Sequence, residues 1–339
     1  MTRLLEVEDL KTWFPLRSPI LRRTVAQVRA VDGVSLSVEA GRTLGLVGES
    51  GCGKSTLGRT IARLIEPTGG RIKVDGEDVT GWRGRDLMRL RRRVQVVFQD
   101  PYASLNPRIR IGDAVGEALD IHGLSRSRTE RRDKVVAILE KVGLTTEAME
   151  RFPHEFSGGQ RQRVGIARAL ALNPELLVAD EPVSALDVSV QAQVINLMRD
   201  LQREFGLGYL FIAHDLSVVR HISDQVAIMY LGRIVERGPT RQLFEHPLHP
   251  YTQGLLASVP IPDPTRRRTG RAPLKGGLPN PISPPNGCAF HPRCPHATEI
   301  CRSESPILQR YADGQEAACH HTLEIARSGG TAIVPAEPA

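Results

Sequence analysis

The stretch "GESGCGKST", Gly48 to Thr56, decides the fold of this chain. It satisfies the pattern G-x-x-x-x-G-K-[ST], in which glycines allow a loop to wind with its backbone N–H groups pointing inward. The residues before it have the composition of a strand, and "STLGRTIARLIE" after it has helical spacing. Strand, glycine loop and helix in this order predict the phosphate-binding loop of an α/β nucleotide-binding domain.

The residue types in this loop have different expected roles. The loop N–H groups and the positive end of the helix dipole suit the α- and β-phosphates. Lys54 supplies a positive charge to the β/γ-phosphates, the Ser55 hydroxyl is placed to ligate Mg²⁺, and Cys52 contributes only its backbone. We expect ATP to be bound here by Gly48, Ser50, Gly51, Gly53, Lys54, Ser55 and Thr56.

Composition limits the other possibilities. The chain has 339 residues, 40% hydrophobic and 24% charged, which is enough for a globular core in two units. Acidic residues interrupt the N-terminus where a secretory signal needs an apolar core, and no run of eighteen apolar residues occurs. We therefore expect a cytosolic protein that reaches the membrane through a partner. The net charge of +7 is dispersed and favours a solvated surface, with a phosphate-rich partner as the alternative.

The order of patterns predicts the domain organisation. A nucleotide-binding domain is expected over residues 1–258, with a helical insert at about 112–172. Pro260 to Pro285 contains eight prolines, so residues 259–287 are predicted to be an extended linker. An extension that contains four cysteines follows at 288–324, and the glycine-rich tail 325–339 is predicted to be disordered.

Two further motifs carry chemistry. In "ELLVADEP" an apolar strand brings Asp180 and Glu181 to its carboxyl end, where open α/β sheets bind ligands. Asp180 is expected to hold Mg²⁺ through water and Glu181 to act as general base toward the attacking water, with a helix cap as the alternative. "FSGGQRQRVGIARAL" places Ser157, Gly158 and Gly159 at a helix N-terminus, which predicts a second anion site or an ordinary serine-capped helix.

With these motifs in this order, residues 4 to about 245 closely resemble the ATP-binding subunits of ABC transporters. The resemblance implies a P-loop NTPase fold with a RecA-like core, an antiparallel β subdomain and a helical subdomain. It makes "FSGGQ" the signature motif, with Phe156 in place of the common leucine and Ser157 to Gln160 contacting ATP. Two such cassettes pair head to tail, so that each signature motif faces the other's phosphate loop.

The same resemblance assigns further site residues. Gln99 in "VVFQD" would contact Mg²⁺ and the attacking water and sense the membrane subunit, and His214 in "IAHD" would bond the γ-phosphate. Asp187 in "SALD" would lie in the loop that crosses the dimer interface. Phe14 would stack on adenine, although about fifteen extra residues follow it and a structural phenylalanine is the alternative.

A narrower resemblance, carried by "QDPYASLNPR", "HPLHPYTQGLLASVPIPDP" and the cysteine-containing tail, is to the oligopeptide and dipeptide importers, in the form of their second ATPase. It implies an unlike partner ATPase, two permease subunits, an extracytoplasmic peptide-binding protein and a place on the cytoplasmic face of the inner membrane. The alternative is an ABC ATPase that handles nucleic acid. Only about 120 residues separate Ser55 from Asp180, and there is one cassette, so no nucleic-acid partner is expected.

Cysteines concentrate in "GCAFHPRCPHATEIC" and at Cys319. Four thiolates are the number that a [4Fe–4S] cluster needs, and some peptide-importer ATPases hold one in this extension, so Cys288, Cys294, Cys301 and Cys319 are predicted as its ligands. Structural zinc and unligated thiols are the alternatives. Because the tail lies far in sequence from every ATP motif, we expect the cluster to hold the fold together or report redox state without joining catalysis.

Overall fold

The computed structural model describes residues 3–18, 23–100, 104–258 and 276–328. Its strands are, in chain order, β1 Arg3–Arg17, β2 Thr24–Glu39, β3 Thr43–Val47, β4 Gly69–Val74, β5 Glu77–Asp78, β6 Val94–Val97, β7 Leu176–Asp180, β8 Gly208–Ala213, β9 Gln225–Tyr230, β10 Arg233–Pro239, β11 Gln309–Arg310 and β12 Glu316–Ala317.

Its helices are, in chain order, α1 Lys54–Ile61, α2 Gly84–Arg93, α3 Ile111–Ile121, α4 Arg128–Lys141, α5 Gly158–Leu170, α6 Val188–Phe205, α7 Leu216–Ile222, α8 Thr240–Glu245, α9 Pro250–Ala257, α10 Glu299–Ser303 and α11 Thr322–Ser328. Short 3₁₀ turns lie at Thr146–Glu150, Pro153–Glu155 and His291–Arg293. No helix in the described ranges combines the length and apolar character that a bilayer span requires.

The described strands form two sheets. A four-stranded antiparallel sheet has the order β2-β1-β4-β5, and an eight-stranded sheet has the order β11-β12-β10-β9-β3-β8-β7-β6. In the larger sheet β9, β3, β8, β7 and β6 are parallel neighbours. Strands β7 and β8 are buried along their whole length, as expected for apolar strands covered on both faces. The fold is the α/β nucleotide-binding domain that the sequence predicts.

This strand order determines where the site lies. The phosphate loop follows β3, His214 follows β8, Glu181 follows β7 and Gln99 lies shortly after β6. Because these four strands are parallel and adjacent, the four segments emerge at one edge of the sheet. Helices α3, α4 and α5 form the predicted insert between β6 and β7.

Most of the described residues that follow Phe14 are strand: 15–17 belong to β1 and 24–29 to β2. They extend β1 and β2 into a long hairpin, in which Phe14 pairs with Val28 and Leu16 with Ala26. The hairpin is described up to residue 18 and from residue 23. The extra residues therefore lengthen the antiparallel sheet.

The C-terminal extension is built onto the central sheet. Strand β12 pairs with β10, matching Glu236 with Ala317 and Arg237 with Glu316, and β11 pairs with β12. Residues 276–287 of the predicted linker are described, and the Arg29 N–H donates to the Pro281 carbonyl at 3.5 Å. Helix α11 continues into the predicted disordered tail because Ile325 and Ala326 are buried. Linker residues 259–275 and tail residues 329–339 lie outside the described residues.

Candidate nucleotide-binding site

The phosphate loop runs from the end of β3 to the start of α1 and needs glycine at two close approaches. A β-carbon added to Gly53, whose φ is +108°, would lie 2.0 Å from the Ala30 carbonyl oxygen. One added to Gly48 would lie 2.2 Å from the Met229 carbonyl oxygen. No side chain fits at such distances, so the glycine spacing in the sequence reflects how closely the loop packs on β2 and β9.

Lys54 closes this loop. Its ammonium donates to the carbonyl oxygens of Gly48 at 2.7 Å and Glu49 at 3.0 Å, and the residue is only 4% exposed. The positive charge is thus fixed within the loop. Cys52 is buried, burial raises the pKa of its thiol, and its N–H donates to the Glu49 carbonyl at 3.2 Å.

The two residues predicted to hold Mg²⁺ through hydroxyl and carboxylate oxygens are in direct contact. The Ser55 hydroxyl donates to Asp180 Oδ1 at 2.7 Å, and Asp180 is buried. Arg59, one turn further along α1, lies 3.5 Å from the other oxygen of the same carboxylate. Oxygen donors of this kind suit Mg²⁺, so the residues present fit that ion.

Glu181 is the meeting point of three strand ends. Its Oε2 accepts a hydrogen bond from Gln99 Nε2 at 3.0 Å and lies 3.1 Å from His214 Nδ1. The Glu181 side chain is 14% exposed and that of His214 is 57% exposed, so the group is accessible to solvent. Glu181 has a φ of +50°, a conformation that non-glycine residues rarely adopt and that is often found at active sites.

The Ser157 turn forms a capping box at the start of α5. The Ser157 hydroxyl accepts from the Gln160 N–H at 3.3 Å, and the Gln160 side chain accepts from the Ser157 N–H at 3.0 Å. A β-carbon on Gly159 would lie 2.3 Å from a Val190 methyl group, so this glycine is required for packing against α6. Ser157 and Gln160 are exposed, which leaves the helix N-terminus accessible.

The two remaining predicted contacts lie at the periphery. Phe14 is exposed on β1, whereas the neighbouring Trp13 donates its indole N–H to Asp32 at 3.1 Å and lies under Arg29. Phe14 is therefore the freer of the two rings for stacking on a base. Asp187 is the N-cap residue of α6.

The four cysteines of the extension are free thiols. Burial raises the pKa of Cys294 to about 11 and that of Cys319 to about 12, which favours protonated thiols. Within the described residues, which include all four cysteines, no group of three or more Cys, His, Asp or Glu side chains is arranged to hold a metal ion. The predicted [4Fe–4S] cluster is not supported by this arrangement.

The extension also contacts the nucleotide site, although it lies far from every ATP motif in sequence. Both guanidinium N–H groups of Arg293 contact the Glu49 carboxylate, at 2.8 and 2.9 Å, and the Glu49 N–H donates to the Tyr251 hydroxyl at 2.9 Å. Sequence reasoning missed both contacts. No local pattern marks Arg293, which is 244 residues from Glu49.

Comparison with known protein families is consistent with this geometry. The model of the family described as ABC transporter matches residues 31–184, and that described as oligopeptide/dipeptide transporter, C-terminal region, matches residues 235–301. The chain is 55% identical over 322 residues to the oligopeptide transport ATP-binding protein AppF of Bacillus subtilis, covering 94% of this chain and 97% of the relative. It is 56% identical over 298 residues to the di/tripeptide transport ATP-binding protein DppF of Pseudomonas aeruginosa, covering 87% of this chain and 91% of the relative.

Similar solved structures are also ATP-binding cassettes of ABC transporters. The cbiO1 subunit of the cbiONQ transporter from Clostridium perfringens is 27% identical with a TM-score of 0.61, over 72% of this chain and 91% of that one. The cassette MJ0796, in a dimeric post-hydrolysis state with ADP and phosphate, is 27% identical with a TM-score of 0.61, over 70% of this chain and 99% of that one. The chain is therefore an ABC-type ATPase and belongs to the ATP-binding proteins of the ABC transporter family, in the group that carries the oligopeptide/dipeptide transporter C-terminal region.

Proposed function

We propose that this chain powers a membrane importer of di- and oligopeptides by hydrolysing ATP together with a second, unlike ATPase subunit. The observation that carries the catalytic part is the contact of Glu181 with Gln99 and His214 beside the phosphate loop. The peptide substrate follows from the relatives, which are named as oligopeptide and di/tripeptide transport proteins. The assembly places the chain at the cytoplasmic face of the membrane, held there by two permease subunits and supplied by an extracytoplasmic peptide-binding protein.

In the proposed reaction Glu181 is the general base that accepts a proton from the attacking water. Gln99 orients that water, and His214 bonds the γ-phosphate. Lys54 and the loop N–H groups hold the phosphates in line, with Phe14 under the adenine. Ser55, Asp180 and Gln99 would hold Mg²⁺, which when bound neutralises charge on the β- and γ-phosphates.

The Ser157 turn serves a different nucleotide in this proposal. Its capping box uses the serine hydroxyl and the Gln160 side chain, while the exposed N-terminus of α5 keeps the positive end of its dipole free for an anion. A partner cassette packed head to tail would bring its own phosphate loop to this turn, with Asp187 at the interface. We expect ATP hydrolysis by the purified chain to be slow and to rise with protein concentration.

The permease contact is proposed for a groove between the central sheet and the helical insert. The groove has a volume of about 340 Å³, and its lining includes Phe98, next to Gln99, and two exposed apolar side chains, Leu64 and Ile121. An apolar helix end of a permease would cover these residues and contact the segment that carries Gln99. Permease movement could then displace Gln99 from Glu181.

The experiment that tests the function is purification of the native complex followed by transport measurement. Two permeases, an unlike ATPase and ATP-dependent peptide uptake into vesicles are the expected result. The alternative, an ABC ATPase that handles nucleic acid, predicts a chain without permeases and with salt-dependent binding to DNA. The helical insert between β6 and β7, which has no long coiled coil among its described residues, favours the transporter.

We keep the [4Fe–4S] cluster at Cys288, Cys294, Cys301 and Cys319 as a separate proposal, supported by the presence of four free thiols in one extension and by the donor chemistry that such a cluster uses. Since these thiols are not arranged as a ready ligand set, cluster binding would have to draw them together. Anaerobic reconstitution with iron and sulfide should give a brown protein with about four irons per chain. Cys319→Ser should lose the iron and Cys52→Ser should keep it. A colourless protein with zinc or no metal would contradict the proposal.

A further inference from the structure

We propose that Arg293 of the C-terminal extension is a positioning residue of the nucleotide site, which fixes and neutralises Glu49 and thereby sets the affinity of the phosphate loop for ATP. The inference rests on ATP binding at residues 48–56 and makes the extension a regulatory element of that site. Any change that displaces the extension would then act on nucleotide binding without reaching the reacting atoms.

The contact has the geometry of a strong pair. Two guanidinium nitrogens of Arg293 approach the two carboxylate oxygens of Glu49 at 2.8 and 2.9 Å, the parallel arrangement in which arginine binds carboxylates most specifically. The Arg293 side chain is 7% exposed and that of Glu49 is 26% exposed. Water therefore screens this pair less than it screens the ion pairs on the surface.

Arg293 is itself held in place by aromatic side chains at the interface between the extension and the cassette. Its guanidinium lies 5.8 Å from the ring centre of Tyr230 in β9 and 5.9 Å from that of Phe290 in the extension. Phe290 packs edge-on against Tyr230 at 5.3 Å and lies 5.4 Å from Tyr251 of α9. The Tyr251 hydroxyl completes the arrangement, because it accepts the Glu49 N–H. Both the backbone and the side chain of Glu49 are thus held from outside the loop.

The electrostatic reason for this arrangement is the charge of the ligand. Glu49 follows Gly48 in the loop that receives a triphosphate, and an uncompensated carboxylate there would repel it. Removing Arg293 leaves the Glu49 carboxylate partly buried and without its cationic partner. The free-energy penalty of that unpaired charge exceeds the net stabilisation that the ion pair provides. The expected consequence is weaker ATP binding, together with a less firmly held loop.

The test uses the full chain and a fluorescent ATP analogue. Arg293→Met should weaken binding about tenfold, equivalent to about 1.4 kcal/mol. Arg293→Lys keeps the positive charge but loses the contact through two guanidinium nitrogens, so it should weaken binding to an intermediate degree. Adding Glu49→Gln to Arg293→Met should restore affinity to within about threefold of wild type, because it removes the unpaired charge. In the assembled ATPase the KM for ATP should rise while kcat stays within about twofold.

The matched control is Arg237→Met, which breaks a second ion pair between the cassette and the extension. Arg237 pairs with Glu316 at 2.7 Å across β10 and β12, away from the phosphate loop. Arg237→Met should lower the melting temperature and leave ATP affinity unchanged. The inference is overturned if Arg293→Met binds ATP as tightly as wild type, if Glu49→Gln fails to restore binding, or if Arg237→Met weakens binding equally. Failure of the wild-type chain itself to bind the analogue would instead refute nucleotide binding at this loop.

Discussion

Replacing Glu181 with glutamine should separate ATP binding from ATP hydrolysis. The substitution keeps the size of the side chain and one of its two oxygens. In the wild-type protein Glu181 Oε2 lies 3.0 Å from Gln99 Nε2 and 3.1 Å from His214 Nδ1, and the remaining oxygen of glutamine can still make these contacts. What it removes is the proton acceptor. A general base contributes about 10²- to 10⁴-fold to rate. The barrier should therefore rise by about 2.7 to 5.5 kcal/mol, whereas the dissociation constant for ATP should change less than about threefold.

The assay has to measure ATP turnover at one composite site without a contribution from the other. In the assembled complex, Ser157→Arg disables the site that holds the partner's nucleotide, so the remaining turnover belongs to this chain's phosphate loop. Glu181→Gln is then introduced into that background. Glu175→Gln is the matched control, because Glu175 lies at the opposite end of β7 and pairs with Arg93 at 2.8 Å. A decrease of less than about tenfold with Glu181→Gln would refute its role as general base.

Three further predictions test neighbouring parts of the site and fold. Lys54→Ala should weaken ATP binding about ten- to a hundredfold through loss of a charge-assisted contact, whereas the control Lys141→Ala on α4 should not, as measured by nucleotide titration. Ser157→Arg should leave the ATP affinity of the isolated chain unchanged but reduce turnover of the complex; equal loss in both would contradict head-to-tail pairing. Burial raises the pKa of Glu236 from 4.5 to about 7, so the folded protein keeps a proton that the unfolded chain releases. Wild-type stability should therefore fall from pH 4.5 to 7 relative to Glu236→Gln, and a constant difference in melting temperature between the two at pH 5 and 7.5 would show the assignment to be wrong.

The convergence of the proposed catalytic residues could be predicted because each of them follows a recognisable strand. Glu181 and His214 come directly after apolar runs, and Gln99 follows β6, so the rule for parallel sheets is enough to bring them together. The phosphate loop could be predicted from its glycines. Close packing against the Ala30 and Met229 carbonyl oxygens allows no side chain at Gly53 and Gly48, so these positions must be glycine. These are local features with a direct physical cause.

The features that could not be predicted from the sequence depend on pairing between segments that are distant in the chain. Residues 15–17 and 24–27, on either side of the segment outside the described residues, are strand because β1 and β2 pair with each other. The contacts that join the C-terminal extension to the central sheet could not be predicted for the same reason. Strand β12 is two residues long, and its place is decided by its pairing with β10 and by the cluster that Ala317 forms with Leu248 and Tyr311.

Glu236 shows how firmly the extension is joined to the cassette. This buried carboxyl group accepts the N–H groups of Leu248 at 2.8 Å and His249 at 2.9 Å, which fixes the turn before α9. On its other side Gln315 of the extension approaches it at 3.4 Å. Helix α9 then presents Tyr251 to the backbone of Glu49. The buried Glu236 side chain is thus linked through one short helix to the phosphate loop.

The extension therefore acts on the loop from two directions. Glu236 and Tyr251 form the route through the backbone, and Arg293 forms the route through the side chain of Glu49. Cleaving or unfolding the extension would remove Arg293 and expose the aromatic cluster around Phe290, which also supports Tyr251. Both anchors of Glu49 would weaken together, so loss of the extension should reduce ATP affinity more than Arg293→Met does. This ordering distinguishes an extension that sets the geometry of the nucleotide site from one that only stabilises the cassette.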